Sequence, residues 1–129
     1  MTFLQVISIL FFHWLGDFVF QSDKWAKEKS EHAPVLVLHC LTYTGVMLFG
    51  GLLCGWIPLC IGYLAVFAEA FFLSHFIIDG ISSNINKKLY ESGDIHNFFV
   101  VVGLDQVLHY AVVFGILYLL HRTTADACF

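Results

Sequence analysis

Histidine and aspartate side chains recur at a spacing of four residues, which places them on one face of an α-helix. The chain has three such pairs, the last in reversed order: His13 with Asp17, His75 with Asp79, and Asp105 with His109. Gln21 extends the first stripe by one more turn, and His39 lies in a further apolar segment. Carboxylates and neutral imidazoles are ligands for Zn, Mn, Fe or Ni, whereas soft Cu(I) sites use thiolates or thioethers. The spacing therefore indicates a divalent metal site built from several helices.

The composition indicates that these helices lie in a membrane. Hydrophobic residues make up 59% of the 129-residue chain and charged residues 12%, against about 45–50% and about 25% in soluble domains. The mean hydropathy is +0.80, and a soluble domain of this length could not bury so much apolar surface. The net charge of −4 and the absence of a basic tract argue against nucleic acid as a partner. The cysteines form no C-x-x-C pair, which excludes zinc-ribbon and redox motifs.

Four apolar segments are long enough to cross about 30 Å of hydrocarbon as helices, namely residues 2–20, 35–53, 57–78 and 98–120. No basic residue precedes the first segment, which carries His13 and Asp17, so we interpret it as a retained helix and not as a signal peptide. Apolar residues recur every four positions within residues 81–90, which predicts a short amphipathic helix on the membrane surface. The predicted fold is all-α. It is a four-helix transmembrane bundle in a single domain, residues 1–129, with this interfacial helix between helices three and four.

The distribution of lysine predicts the orientation of the chain. Three lysines lie in the first loop and two in the third, whereas the second loop and the N-terminus have none and the C-terminus has only Arg122. The positive-inside rule places the first and third loops in the cytoplasm and both termini outside a bacterial inner membrane. The three His/Asp pairs and His39 then all fall in the cytoplasmic half of the bilayer.

A shared leaflet predicts a shared site, because a charged side chain in hydrocarbon costs at least about 2.5 kcal/mol unless it is compensated. The predicted metal ligands are His13, Asp17, His75, Asp79 and His109. Asp105 or His39 would act as the general base, and the residues that contact substrate would be Gln21, Gln106 and Lys24. These groups suffice for one ion with spare acid–base groups, or for two ions about 3.5–4 Å apart. A hydrogen-bonded network that only joins the helices is the structural alternative. Glu69 lies off this face of its helix, where it would be an accessory acid or a protonated packing residue.

The sequence resembles a family of small bacterial and phage integral membrane proteins of unknown function. The resemblance rests on motifs that occur in order over most of the chain: His13-x-x-Gly16-Asp17-Phe18 with Gln21, Lys24 through Lys29, Leu38-His39, Ser74-His75 with Asp79, and Asp105-Gln106-x-x-His109. It is more distantly similar to bacterial membrane-bound metal-dependent hydrolases, which also carry His/Asp pairs at helix ends. The resemblance implies a four-helix membrane protein and favours a metal site, but it implies no substrate.

Three functions fit these observations. The first is an intramembrane metal-dependent hydrolase that opens to the cytoplasm and acts on an amphiphilic or phosphate-containing substrate, with residues 81–90 as a lid or a lipid-entry face. The second is a divalent cation or proton transporter or channel subunit, although the outer half of the bundle has few polar residues. The third is a non-enzymatic membrane adaptor or phage accessory protein. The glycines and the compact size would allow a homodimer in each case.

Overall fold

A computed structural model describes residues 1–123, and all regular structure in that range is helical. Helix α1 (Phe3–Trp14) continues into a π-helical turn (Leu15–Val19). A short helix α2 (Asp23–Glu28) follows, and the long helices are α3 (Ala33–Leu53), α4 (Ile61–Glu91) and α5 (Ile95–Thr123). By length and composition α3, α4 and α5 are candidate membrane-spanning helices. Phe3–Val19 is a shorter apolar helix, about 25 Å long at 1.5 Å per residue.

Local sequence signals account for the ends of these helices. The hydroxyl of Thr2 accepts a hydrogen bond from the backbone of Gln5, whose side chain accepts one from the backbone of Thr2, so α1 begins with a capping box. The hydroxyl of Ser22 caps α2 by accepting a hydrogen bond from the backbone N–H of Trp25. Pro34 lies in the first turn of α3, where its missing N–H costs nothing. Gly93 ends α4 with a φ of +76°, a conformation that glycine adopts without strain.

Helix α4 differs from the prediction, because the separate interfacial helix at residues 81–90 does not exist. These residues are the last ten of the uninterrupted α4 apart from Glu91, so the predicted third span and the amphipathic segment form one helix. Gly80 does not end the helix, since an isolated glycine costs only about 1 kcal/mol. The helix also begins at Ile61 and not at residue 57, because residues 57–60 form an irregular connection that contains Pro58.

A buried side chain recurs every fourth residue along α3, α4 and α5, and along α1 with its π-helical turn. We call these four series the ladders. In chain order, the side chains of the ladders on α3 and α5 change from polar to apolar, and those on α1 and α4 change from apolar to polar. Their members are His39, Tyr43 and Met47; Asp105, His109, Val113 and Leu117; Ile9, His13 and Asp17; and Tyr63, Phe67, Phe71, His75 and Asp79. The polar ends of all four ladders meet at one end of the molecule, and the apolar ends form the hydrophobic core at the other.

The hydrophobic core is closed by the connection between α3 and α4, where Trp56 and Ile57 fold back and become almost fully buried. Gly50 of α3 allows the close approach of α1, and Gly51 allows that of the connection. A Cβ on Gly50 would overlap the ring of Phe12, and one on Gly51 would overlap Ile57. The close contact of α1 with α3 fixes how α1 presents its polar residues to the site.

Candidate metal centre

The π-helical turn places Asp17 in the site. Such turns insert an extra residue into a helix and often occur at functional positions. The preceding residue, Gly16, lies against α3, and a Cβ there would be 3.3 Å from the Cα of Tyr43. Because the backbones approach so closely, the carboxylate of Asp17 reaches the interior and is only 3% exposed.

Four ligand atoms from three helices converge on one point, and all four residues are buried. The Nε2 atoms of His39 and His75 are 3.0 Å apart. Asp17 Oδ1 lies 3.3 Å from the first and 3.5 Å from the second of these nitrogens. Asp79 Oδ2 lies 3.0 Å from His39 Nε2 and 3.6 Å from His75 Nε2.

These separations match the edges of a tetrahedral metal site. A divalent ion at about 2.05 Å from each nitrogen or oxygen has ligand atoms about 3.3 Å apart, and five edges of this set measure 3.0–3.6 Å. Uncompensated carboxylates and imidazoles gathered this closely in a buried space are costly. The four residues could therefore hold a metal ion.

A second group of three residues shares Asp17 with the first and also contains Asp105 and His109. His109 Nε2 lies 3.2 Å from Asp79 Oδ1 and 3.6 Å from Asp105 Oδ1. His109 Nδ1 lies 3.3 Å from Nδ1 of His75. If Nε2 of His75 is a metal ligand, its Nδ1–H donates to His109, whose Nε2–H then donates to Asp79. This tautomer makes His109 an orienting residue and leaves one metal position.

Gln106 and His13 form a hydrogen-bonded chain behind the ligands. The amide nitrogen of Gln106 donates to Asp17 Oδ2 at 2.9 Å and to Asp105 Oδ2 at 3.0 Å. Its oxygen accepts from His13 Nε2 at 3.0 Å, and His13 Nδ1 accepts from the hydroxyl of Tyr43 at 2.9 Å. His13 therefore lies in neither ligand group, although the structure brings it into the cluster.

Lys29 joins the cluster from the connection between α2 and α3, a contact that the sequence analysis does not predict. Its Nζ donates to Asp79 Oδ2 at 2.6 Å, and its side chain is 13% exposed. Burial opposes the charge, but the Asp79 and Asp17 carboxylates outweigh it and raise the pKa of Lys29. With neutral imidazoles, three carboxylates and this ammonium carry a charge of −2, which one divalent ion would balance.

A cavity of about 640 Å³ reaches this cluster and is lined by Asp17, Asp105 and Gln106. Gln21 also lines it, but from a bend, because helical structure ends at Val19 and the predicted third turn of the first stripe does not form. Lys27 and Lys29 line the cavity, whereas Lys24 is exposed and does not.

The structure gathers all seven predicted histidine and aspartate residues into one buried cluster, and the half-buried Gln106 is hydrogen-bonded to it. Glu69 is exposed on α4, away from this group. The sequence reasoning missed Lys29 and Tyr43, whose ring stacks on His75 with centroids 3.8 Å apart. The spacing of four from His39 could have identified Tyr43, but no periodic signal marks Lys29.

A family model described as "Protein of unknown function (DUF3307)" matches residues 5–128. The chain belongs to this family. The matched range contains every residue of the cluster, from His13 to His109, together with Lys29. No curated protein and no solved structure matches the chain. The family description names no activity, so the function must be argued from the site itself.

Proposed function

We propose that this DUF3307 protein is an intramembrane metal-dependent hydrolase that binds one divalent ion per chain. One observation carries the proposal, namely the convergence of two imidazole nitrogens and two carboxylate oxygens with separations of 3.0–3.6 Å. The proposed ligands are Asp17, His39, His75 and Asp79. In this assignment His39 is a ligand and not the general base. His13 and His109 are not ligands, and they orient the ligand side chains through hydrogen bonds.

The cavity supports hydrolysis because it brings solvent and substrate to the ligand set. Asp17 belongs to both the cavity wall and the ligand group. When bound, the ion would polarise a substrate oxygen and lower the pKa of a water molecule. Asp105 lines the same cavity, and its Oδ1 is buried without a hydrogen-bond partner among the described residues. His109 Nε2, at 3.6 Å from this oxygen, is beyond hydrogen-bond distance, so the oxygen can accept a proton and we propose Asp105 as the general base.

Gln106 would keep the base in position, since it donates to both Asp17 and Asp105. Gln21, which also lines the cavity, would contact the substrate. The substrate would be an amphiphile, with or without a phosphate, because the cavity combines polar groups with the apolar side chains of Phe18 and Val102.

The arrangement of the core argues against the transport alternative. Beyond the cluster and Tyr43, the buried ladder positions are Ile9, Met47, Phe67, Phe71, Val113 and Leu117, with Tyr63 after them at the far end of the ladder on α4. A path for ions needs polar groups or water across the whole membrane, and these apolar layers separate the cluster from the far end of the described helices.

We propose that Phe3–Val19 also crosses the membrane, with both termini outside a bacterial inner membrane. The lysines of the first loop and those near the end of α4 share one end of the molecule, where Lys87 forms an ion pair with Glu31, as the positive-inside rule requires. A C-terminal alkaline phosphatase fusion would be active and a C-terminal green fluorescent protein fusion dark. The opposite pair of signals would reverse this orientation.

The metal content of detergent-purified protein tests the site. We expect about one equivalent of Zn, Mn, Fe or Ni per chain by inductively coupled plasma mass spectrometry, lost in a His75→Ala/Asp79→Ala variant. The matched control is His96→Ala/Asp94→Asn, a change of the same residue types outside the cluster. Folded wild-type protein that takes up no metal, even after incubation with each cation, would refute the proposal.

A second variant separates metal binding from hydrolysis. Asp105→Asn preserves shape and removes the base, so we expect metal content to remain and turnover of ester and phosphoester amphiphiles to fall by about 10²–10⁴-fold. Equal turnover by wild type and variant would remove Asp105 from the mechanism. A complete lack of turnover by the metal-loaded wild type over both substrate classes would leave a metal-binding protein without hydrolase activity.

A further inference from the structure

The cavity beside the metal centre contains an unusual concentration of unpaired polar atoms. Among the described residues, six buried side-chain nitrogen or oxygen atoms have no hydrogen-bond partner. Four of the six belong to residues that line this one cavity, namely Gln21 Oε1, Ser83 Oγ, Asn86 Oδ1 and Asp105 Oδ1. Buried polar atoms nearly always have partners in folded proteins, so this cluster points to a ligand that supplies them.

The unpaired atoms define what that ligand must offer. Three of them are carbonyl or carboxylate oxygens, which only accept hydrogen bonds, and the serine hydroxyl can accept as well as donate. Gln106 does not pair with these atoms, because its amide nitrogen donates to Asp17 Oδ2 and Asp105 Oδ2 and its oxygen is bonded to His13. The ligand must therefore present several hydrogen-bond donors.

The charges on the wall disfavour an anionic group as the main determinant. Two of the three lysines that line the cavity are already paired, Lys29 with Asp79 and Lys87 with Glu31. Four acidic residues offset the three lysines around the cavity: Asp17, Asp23, Glu91 and Asp105. Since the wall is close to charge balance, uncharged hydroxyl donors fit it better than a phosphate or an ammonium group.

The remaining wall is apolar. Phe18, Phe98 and Val102 line the cavity together with Tyr90, and Phe18 and Tyr90 are 43% and 66% exposed. An apolar chain could lie along these side chains where they face the hydrocarbon or the interface. We infer that the cavity binds the hydroxyl-rich head group of a membrane amphiphile, such as a sugar-headed or glycerol-headed lipid. This inference rests on the proposed function for its reaction, but binding can be tested without turnover.

The test measures lipid binding in phosphatidylcholine nanodiscs by native mass spectrometry. The probe is monoglucosyl diacylglycerol, and free glucose is added in a separate arm to distinguish a lipid from a soluble polyol. We expect the glucosyl lipid to bind at least tenfold better than phosphatidylcholine. Each hydrogen bond removed should weaken binding about tenfold, so Ser83→Ala/Asn86→Ala should lose about 100-fold.

The matched control is Asn84→Ala, because Asn84 lies on the same helix but is exposed and its side chain bonds to the backbone oxygen of Gly80. We expect this variant to bind like wild type, and all variants to keep their metal. Equal binding of the two lipids, or equal effects of the Asn84 and Asn86 changes, would overturn the inference and leave a water-filled cavity. Displacement of the lipid by free glucose at similar concentration would overturn the assignment to a lipid.

Failure of this inference is distinguishable from failure of the proposed function. The Ser83 and Asn86 side chains lie outside both metal-ligand groups. Protein that holds metal but does not prefer the glucosyl lipid contradicts only the inference. Protein that prefers the glucosyl lipid but holds no metal contradicts only the proposed function.

Discussion

Replacing Lys29 with methionine should tighten metal binding, although it removes a buried ion pair. The ammonium lies 2.6 Å from Asp79 Oδ2, and an ion bound to that oxygen would lie about 2.1 Å from it. The two positive charges would then be at most about 4.7 Å apart. Even with the dielectric constant of water, charges of +1 and +2 at this distance repel by about 1.8 kcal/mol. We therefore expect Lys29→Met to lower the Kd for the metal at least about 20-fold.

The assay is competition with a fluorescent chelator in detergent, at a fixed pH near 7.5 and with metal-free protein at the start. Lys24→Met is the matched control, because this exposed lysine of the same loop neither lines the cavity nor contacts the cluster. It should leave the Kd unchanged. The metal-dependent rise in melting temperature should also be larger in Lys29→Met, since tighter binding to the folded state adds stability.

The alternative of a purely structural network predicts a different result. In that case Lys29→Met would only remove the ammonium partner of Asp79. Breaking a buried ion pair in this way costs about 3–5 kcal/mol of stability, and added metal would not restore the loss. A folded Lys29→Met protein that binds metal as weakly as wild type, or more weakly, would refute the placement of a cation beside Asp79.

Three further predictions follow from the geometry. His39→Ala should abolish stoichiometric metal, whereas His13→Ala should weaken affinity by about 10–100-fold, as expected for an orienting residue; equal losses in a metal assay would contradict the ligand assignment. Gly50→Ala should destabilise the fold by about 1–3 kcal/mol because its Cβ would overlap Phe12, while Gly45→Ala, with open space around it, should be neutral or stabilising in thermal unfolding; similar melting temperatures for the two would refute this packing. Because the pKa of Lys29 is raised, its stabilising effect should be fully present below the ordinary lysine pKa of about 10.4 and be lost as the pH rises through the raised value. The stability difference between metal-free wild type and Lys29→Met should therefore stay constant from pH 7 to 9 and shrink above about pH 10.5, and a difference that shrinks between pH 7 and 9 would contradict it.

The helical fold and the convergence of the site were predictable from the sequence because both follow from the helical period. A spacing of four residues places His75 below Asp79 whatever the neighbouring helices do. Because successive helices alternate in direction, the first and third loops share one end of the bundle. Which side of the membrane this end faces stays a prediction from the lysine pattern. The family that matches residues 5–128 has no described function. The match therefore adds family membership but no chemistry.

The details that decide chemistry were not predictable, for three physical reasons. The π-helical turn at Leu15–Val19 changes the direction of Asp17 and ends the stripe before Gln21, and no local sequence signal marks it. Which imidazole is a ligand depends on the rotation of each helix about its own axis, which the pattern leaves open for His13 and His39. Lys29 reaches the cluster from an irregular connection, whose path depends on tertiary packing.

The ladders also set the depth of the site along the helix axes. Each ladder changes from polar to apolar between one member and the next, such as Phe71 to His75 on α4 or His39 to Tyr43 on α3. One step along a ladder is four residues, or about 6 Å. Exchanging the polar and apolar members by one step on all four helices would move the whole site by that amount without changing which surfaces the helices bury. The position of a buried site along the helix axes can thus be changed in steps of about 6 Å by sequence changes at ladder positions. This makes the bundle a candidate scaffold for design.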